Sequence, residues 1–325
     1  MRIFVTGASG FIGGAFVRAQ RERHTLLAMS RSEASDATIR AAGGEPLRGA
    51  LGAVEAAQLA GCEAVVHCAA HVEAFGARAD FWRANVDGTQ QLLDAARAAG
   101  VRRFVHVGTE AACFHGQDMV EIDETYPLVT ASPYLYAETK AEAERRVLAA
   151  NAPAAGFTTI SVRPRLVWGP GDQTILPILT RMVREGRFAW MDGGRARTST
   201  THVANLVHAL ELALTRGTGG EAYFVTDGED TTLRTFLTAL LRSQHMEAPP
   251  RSLPGWLARG AAATLERVWY TLHLKGEPPL TGLAAGQMSR HCTIRIDKIR
   301  RDLAYAPVLL VADGLRELTA QPAAA

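Results

Sequence analysis

"TGASGFIGG", residues 6–14, follows the apolar run Ile3-Phe4-Val5 and leads into a helix-like stretch that begins at Phe11. Gly7, Gly10 and Gly13 recur every third residue. A strand, a glycine turn and a helix in direct succession form the setting in which a backbone receives a pyrophosphate. Gly7 can take the dihedrals of a tight turn. Gly10 has no side chain to hold a phosphate away, and Gly13 lets the helix pack closely on the strand. The helix start offers unpaired N–H groups and partial positive charge. Ser9, Phe11 and Ile12 share this loop and are expected to touch the same ligand. The spacing is G-x-x-G-x-x-G, not the commoner G-x-G-x-x-G, so a purely structural turn stands as the alternative.

The rest of the first half repeats the opening pattern. Strand-like runs are expected at 2–6, 25–30, 45–48, 64–68, 103–108 and 158–163, with helical patterns between them at 11–23, 33–42, 53–60, 81–99 and 134–150. Alternation of this kind predicts an α/β fold, a doubly wound parallel sheet covered on both faces. After about residue 165 the rhythm changes at Gly169-Pro170-Gly171, and helices are expected near 173–185, 203–215 and 231–242. We therefore expect a dinucleotide-binding domain over 1–165, with later segments near 201–225 interleaved into it. A smaller, mostly helical substrate lobe is expected over 166–325, ending in a frayed tail at 320–325.

The composition narrows the function. The 35 basic and 33 acidic side chains nearly cancel, which argues against a nucleic-acid partner. Four cysteines, at 62, 68, 113 and 292, lack metal-ligand spacing and read as buried thiols of a reducing compartment. The scattered histidines, His67, His71, His106, His115, His202 and His208, form no ligand set with carboxylates, so no metal is expected. With no signal-peptide pattern at the start and no apolar run of ~18–20 residues, a cytoplasmic location without a transmembrane span is expected.

Two further places carry chemistry. The second strand ends at Ser30-Arg31-Ser32. An acidic residue there would hold the ribose hydroxyls of NAD, whereas Arg31 can pair with a 2′-phosphate. NADP(H) is favoured on that ground, with NAD(H) as the alternative. In "YLYAETKAEAE", residues 134–144, Tyr136 and Lys140 stand one helical turn apart. A phenol with an ordinary pKa of ~10 needs a neighbouring cation to exchange protons near neutral pH. The preceding strand, "RFVHVG" at 103–108, delivers Thr109 to the carboxyl edge of the sheet, where ligands bind such sheets. A capping role for the Thr109 hydroxyl is the alternative.

Taken in order, these pieces resemble an extended short-chain dehydrogenase/reductase. The resemblance is carried by Gly7-x-x-Gly10-x-x-Gly13, "VVHCAAHV" at 65–72, "NVDGT" at 85–89, "RFVHVGTEAA" at 103–112, Tyr136-x-x-x-Lys140, "RPRLVWGPGD" at 163–172 and "THVANLVHAL" at 201–210. It implies a Rossmann fold in which Tyr136 is the general acid/base. Lys140 would orient the nicotinamide ribose and lower the tyrosine pKa, Thr109 would position the reacting oxygen, and Asn85 would steady the sheet. Ala69 and Ala70 would line the cofactor, and the backbone near Pro164 and Val167 would face the nicotinamide. Two departures stand out: Gly108 replaces the first residue of the family's frequent Ser-Ser/Thr pair, and Ala50 replaces an aspartate that contacts adenine in many relatives.

The substrate is less sharply marked. "LPGWLARGAAATLERVWYTLHL", 253–274, suits either the lining of a lipid-like pocket or the core of the lobe. Its apolar residues are distributed around the helix, which argues against a membrane-surface helix. The ending "TIRIDKIRRDLAYAP", 293–307, resembles the 3β-hydroxysteroid dehydrogenase-like branch. The expected function is an NADP(H)-dependent enzyme interconverting a ketone and a secondary alcohol on an apolar substrate. The alternative is a nucleotide-sugar epimerase or dehydratase with tightly held NAD, for which Arg195 and Arg197 would be the diphosphate ligands. A non-catalytic NADP(H) sensor would have no need of Thr109, Tyr136 and Lys140 together. A homodimer formed through the helices at 81–99 and 134–150 is expected from the resemblance.

Overall fold

The computed structural model describes residues 1–320; the part of the predicted tail beyond Ala320 lies outside the described residues. A seven-stranded, wholly parallel sheet forms its centre. In spatial order the strands are Glu221–Val225, Thr158–Pro164, Arg103–Val107, Ala64–His67, Arg2–Thr6, Thr25–Ser30 and Glu45–Arg48. The order reverses beside Arg2–Thr6, which pairs with Thr25–Ser30 on one side and Ala64–His67 on the other. A crevice at that switch point is where such sheets bind ligands. The strands are short β-branched and aromatic runs buried on both faces, as in Ile3-Phe4-Val5 and Ala64-Val65-Val66.

Helices cover both faces. Phe11–Gln20 and Val203–Arg216 pack on one, where Phe16, Val17, Leu206 and Leu210 join a single apolar core. Gly88–Ala98 and Val147 of the helix Leu135–Ala149 pack on the other, against Phe4, Val65 and Phe104. One expected helix is absent: within 53–60 only a single 3₁₀ turn forms, at Ala56–Leu59. It is closed by Glu55 and Gln58 capping each other, and it cannot start earlier because Glu55 is extended and both backbone groups of Val54 are held by the Gln91 side chain. The helix expected at 81–99 is continuous, but its first part, Trp82–Asp87, is wound as a π-helix.

Residues of the second half complete the sheet, since Glu221–Val225 lies outside Thr158–Pro164. Conversely, Met119–Ile122 from the first half joins a four-stranded sheet of the lobe with Cys292–Ile294, Arg197–Ser199 and Asp230–Thr232. The lobe has its own core, around the fully buried Trp168 and Trp190 with Phe236 and Leu240. Asp227 fastens the two parts together. Its buried carboxylate accepts from the Trp168 indole (2.9 Å), the Thr200 hydroxyl (2.7 Å), the His202 backbone N–H (2.6 Å) and the Asn205 amide (2.8 Å). Four donors supply the compensation a buried carboxylate requires.

Candidate active site

The glycine loop meets the physical demands of a dinucleotide. Gly7 is left-handed (φ 71°), and a methyl group there would stand 2.8 Å from the Ala69 backbone nitrogen. A methyl at Gly13 would fall inside the Gly7 carbonyl, so only glycine lets helix Phe11–Gln20 start this close to the strand. Gly10 is the residue before that helix, and no side chain caps it. The next helix, Glu33–Ala42, is by contrast closed by Ser32, which accepts from the Ser35 N–H. An uncapped helix start facing the carboxyl edge of the sheet leaves its leading N–H groups for an anion. Arg31 follows the second strand, exposed.

The helix Leu135–Ala149 brings Tyr136 and Lys140 to the same edge. Its inner face is Ala137, Thr139, Lys140, Ala141 and Ala143, and small residues let it lie close to the sheet. Lys140 is buried, and its Nζ donates to the Val107 carbonyl (2.8 Å) and to His106 Nε2 (3.1 Å). Burial, then the Lys140 charge and His67, hold His106 well below the ordinary histidine range, so its ring is neutral and accepts at Nε2. The proton is then on Nδ1, which has no hydrogen-bond partner. Burial also pulls the Lys140 ammonium down from 10.5 to about 8, against the opposing pull of Glu144 and Cys68.

This gives a pH dependence with two opposite signs. Above about pH 8 Lys140 loses its charge, so kcat/KM is expected to fall through that value. The unfolded chain keeps the proton up to 10.5, so between about 8 and 10.5 it binds more protons than the folded chain. The contribution of Lys140 to stability therefore rises with pH across that window. A pH–rate profile measured beside denaturant unfolding checks both, and Lys140→Met should flatten the second.

Thr109 follows the strand Arg103–Val107 and lies near enough to the Tyr136 phenol to favour its ionisation. The phenol stands above its ordinary range because it is buried and because Glu110 adds negative charge; Thr109 works against both. The bonded N–H groups of Lys140 point to Val107 and His106. Thr109 is also a cap: its Oγ1 accepts from the Ala111 N–H (3.1 Å) and donates to Glu110 (2.9 Å). Catalytic and capping readings of this hydroxyl describe one arrangement.

Two buried ion pairs support the edge, and neither was visible in the sequence. Glu110 pairs with Arg165, which also reaches Thr198, and Glu144 pairs with Arg163 while accepting from Ser161 (3.0 Å). The second pair accounts for Gly108. A side chain there would stand 2.7 Å from the Ser161 hydroxyl and 2.8 Å from the Glu144 carboxylate, so the family's serine has no space.

Asn85 sits in the π-helical turn and belongs to an oriented chain of hydrogen bonds. The Ala69 N–H donates to Thr6 Oγ1 (3.1 Å), the Thr6 hydroxyl to His67 Nδ1 (2.7 Å), His67 Nε2–H to Thr89 Oγ1 (2.9 Å), and the Thr89 hydroxyl to the Asn85 carbonyl (2.7 Å). Only this direction gives every donor an acceptor, and it requires a neutral His67, whose pKa burial lowers to about 3. The Asn85 side chain then clamps the His71 backbone from both sides (2.7 and 3.0 Å) and donates to Thr139 (3.1 Å) on the helix of Tyr136. The cofactor loop and the catalytic helix are thus tied through His67, which sequence reading left as one scattered histidine among several.

Ala69 and Ala70 follow the strand Ala64–His67 beside Gly7, Pro164 ends the strand Thr158–Pro164, and Val167 begins a short strand paired with Thr201-His202. Arg197 pairs with Asp230 at 3.3 Å. The segment 253–274 does not form a closed lining: Trp256 and Leu272 are 69% and 63% exposed. Tyr134, two residues before Tyr136, stacks on Phe114 with ring centroids 5.3 Å apart.

Residues 3–226 match the model of the NAD dependent epimerase/dehydratase family. The chain belongs to this family. It is a short-chain dehydrogenase/reductase of the extended type, an oxidoreductase acting between hydroxyl and keto groups with a nicotinamide dinucleotide. Among curated relatives, the 4-hydroxy-2-methyl-3-oxo-4-farnesyl-3,4-dihydroquinoline-1-oxide ketoreductase of Stigmatella aurantiaca is 43% identical over 98% of this chain and 96% of its own. The 2-alkyl-3-oxoalkanoate reductase of Stenotrophomonas maltophilia is 37% identical over the whole of both chains. The 3-beta-hydroxysteroid dehydrogenase of Mycolicibacterium neoaurum is 31% identical over 97% of this chain and 90% of its own, in keeping with the branch that residues 293–307 resemble. Among solved structures, a dTDP-glucose 4,6-dehydratase of Streptomyces venezuelae with NAD bound has a TM-score of 0.74 at 24% identity, covering 98% of this chain and 96% of that one, a likeness of fold alone. No helix among the described residues of this short-chain dehydrogenase/reductase is long and apolar enough to cross a membrane, and no group of side chains there could hold a metal ion.

Proposed function

We propose that this short-chain dehydrogenase/reductase reduces a ketone on an apolar, lipid-like substrate at the expense of NADPH. The observation that carries the reading is the Thr109–Tyr136 hydroxyl pair at the sheet edge, with the phenol raised by burial. A phenol that keeps its proton is suited to donate it, which is the role reduction requires. The substrate oxygen would take Thr109 and Tyr136 as its two hydrogen-bond partners, and Tyr136 would pass its proton to that oxygen as charge develops on it. The bound nicotinamide supplies the hydride. Lys140, with two N–H groups fixed on Val107 and His106, has a third left for the nicotinamide ribose. Gly7, Ser9, Gly10, Phe11, Ile12 and Gly13 would hold the diphosphate, and Ala69, Ala70, Pro164 and Val167 the nicotinamide half.

The apolar substrate is supported by the relatives named for a farnesyl-bearing and a 2-alkyl-3-oxo substrate. The deciding experiment follows NADPH absorbance with a 2-alkyl-3-oxo ester and, separately, with a nucleotide sugar. Stoichiometric NADPH loss with the ester supports the proposal. Release of tightly held NAD from the purified protein, with no net NADPH loss, would replace it with the epimerase/dehydratase reading.

The preference for NADPH rests on Arg31. Arg31→Asp removes the cation expected to meet the 2′-phosphate and installs an acceptor for ribose hydroxyls. The ratio of kcat/KM for NADPH over NADH is expected to drop by roughly a hundredfold; an unchanged ratio places 2′-phosphate recognition elsewhere. A cytoplasmic homodimer formed through Gly88–Ala98 and Leu135–Ala149 belongs to the same reading, with solution mass as its check.

A further inference from the structure

Two neighbouring strands end their inward faces on histidines. Side chains along Ala64–His67 and Arg103–Val107 alternate between the faces of the sheet. Val65 and Phe104 lie in the core covered by the helices Gly88–Ala98 and Leu135–Ala149. Two residues further on, the same face carries His67 and His106, register partners whose rings lie 5.2 Å apart. Both are buried. An apolar side chain at either position would continue the core with no polar group to satisfy. His67 has partners for both ring nitrogens, Thr6 and Thr89. His106 has one. Its Nε2 accepts from Lys140 (3.1 Å), but no protein group among the described residues accepts from its Nδ1–H. A buried donor left unpaired is a cost that packing does not explain. What this ring offers, and a phenyl ring of similar size does not, is an acceptor for the Lys140 ammonium.

An uncharged acceptor suits the place. A carboxylate there would draw the ammonium into an ion pair and cancel much of its field. Neutral imidazole fixes the direction of one N–H and leaves the charge whole. The Val107 carbonyl, one residue on in the same strand, holds a second N–H (2.8 Å). With two of its three N–H groups bonded, the ammonium cannot turn about its last bond, and the third N–H has a single direction. We propose that His106 is a positioning residue of this enzyme, whose Nε2 aims the remaining N–H of Lys140 at the nicotinamide ribose. The ribose contact rests on the proposed function, but the part of the ring in it is read without a ketone.

The neighbours of Lys140 make its own titration a usable signal. Glu144, one turn further along the helix, is paired with Arg163. Burial pushes the Cys68 thiol up to about 12, lowers His67 to about 3 and, with the charge of Lys140, holds His106 well below the ordinary histidine range. Burial and Glu110 raise the Tyr136 phenol. None of these four changes charge near pH 8, where Lys140 does.

Two substitutions separate the acceptor from the ring. His106→Gln keeps an acceptor near the place of Nε2 and gives up the ring; His106→Phe keeps a ring and gives up the acceptor. The glutamine variant is expected to retain most of the affinity for NADPH, with the basic limb of kcat/KM still near pH 8. The phenylalanine variant is expected to lose about tenfold in NADPH affinity and as much again in kcat, with the limb about one pH unit lower, because the charged ammonium has lost a hydrogen bond. Equal losses in both variants, or the phenylalanine variant near normal and the glutamine variant impaired, would mean that the ring only fills space, and either overturns the proposal. Urea denaturation reports whether each variant folds. Should the phenylalanine variant not fold, the ¹⁵N spectrum of the histidine rings in the unsubstituted protein decides. The ring that His106→Gln removes must carry its proton on Nδ1 and shift on Lys140→Met; a proton on Nε2 overturns the proposal. Absence of ketone reduction in the unsubstituted enzyme would count against the proposed function, and the NADPH affinities and the ring spectrum would still decide the role of His106.

Discussion

Replacement of Tyr136 by phenylalanine is expected to lower kcat by about a thousandfold, within the range general acid catalysis supplies. That is about 4 kcal/mol of barrier. The substitution removes one oxygen and keeps the ring, so the helix Leu135–Ala149 should stand as before, and NADPH should bind with nearly unchanged affinity. The reason for so large an effect is the surroundings of the phenol. It is largely withdrawn from water and Glu110 adds negative charge, while the Thr109 hydroxyl works the other way. No other protonated group hydrogen-bonded to Thr109 could take its place; Glu110, the acceptor of the Thr109 hydroxyl, is held by Arg165. Steady-state kinetics with a fluorescence titration of NADPH reads both quantities. A variant that turns over at near-normal rate would remove Tyr136 from the chemistry.

The second large effect is expected on stability. Arg165→Met leaves the Glu110 carboxylate buried without its guanidinium, next to Thr109 and within reach of the Tyr136 phenol. Breaking a buried pair from one side costs about 3–5 kcal/mol. The double variant Glu110→Gln/Arg165→Met should recover much of that loss, because the uncompensated charge has gone. Urea denaturation of the single and double variants measures the difference. Equal destabilisation in both would mean that the arginine acts through packing and its bond to Thr198, and not through the charge of Glu110. Glu110 also holds the phenol up, so the double variant is expected to show a lower apparent pKa for any step that needs the phenolate.

The parallel sheet was legible because its strands are continuous apolar runs between glycine turns, and fully buried strands leave that mark on a sequence. The segment 53–60 forms one turn in place of a helix because Val54 is held through both backbone groups by Gln91 of a distant helix and Glu55 is extended, contacts that its alanines do not record. The segment 253–274 shows the same limit from another side. Expected as a pocket lining or the core of the lobe, it buries Gly255, Ala258 and Ala262 and leaves Trp256 exposed.

By itself the sequence determined the sheet, the glycine turn after its first strand, and the placing of Tyr136 and Lys140 one helical turn apart, since each is set within a few residues by backbone freedom and helical repeat. Only the tertiary structure decided which distant groups those residues meet. Lys140 against His106, Glu110 against Arg165, Gly108 under Glu144 and Ser161, and the path from Thr6 through His67 to Asn85 all join segments far apart in the chain. Burial gives these contacts their force, because a charge or hydrogen bond withdrawn from water must be answered by whatever the fold brings to it. No local pattern records which partner that is.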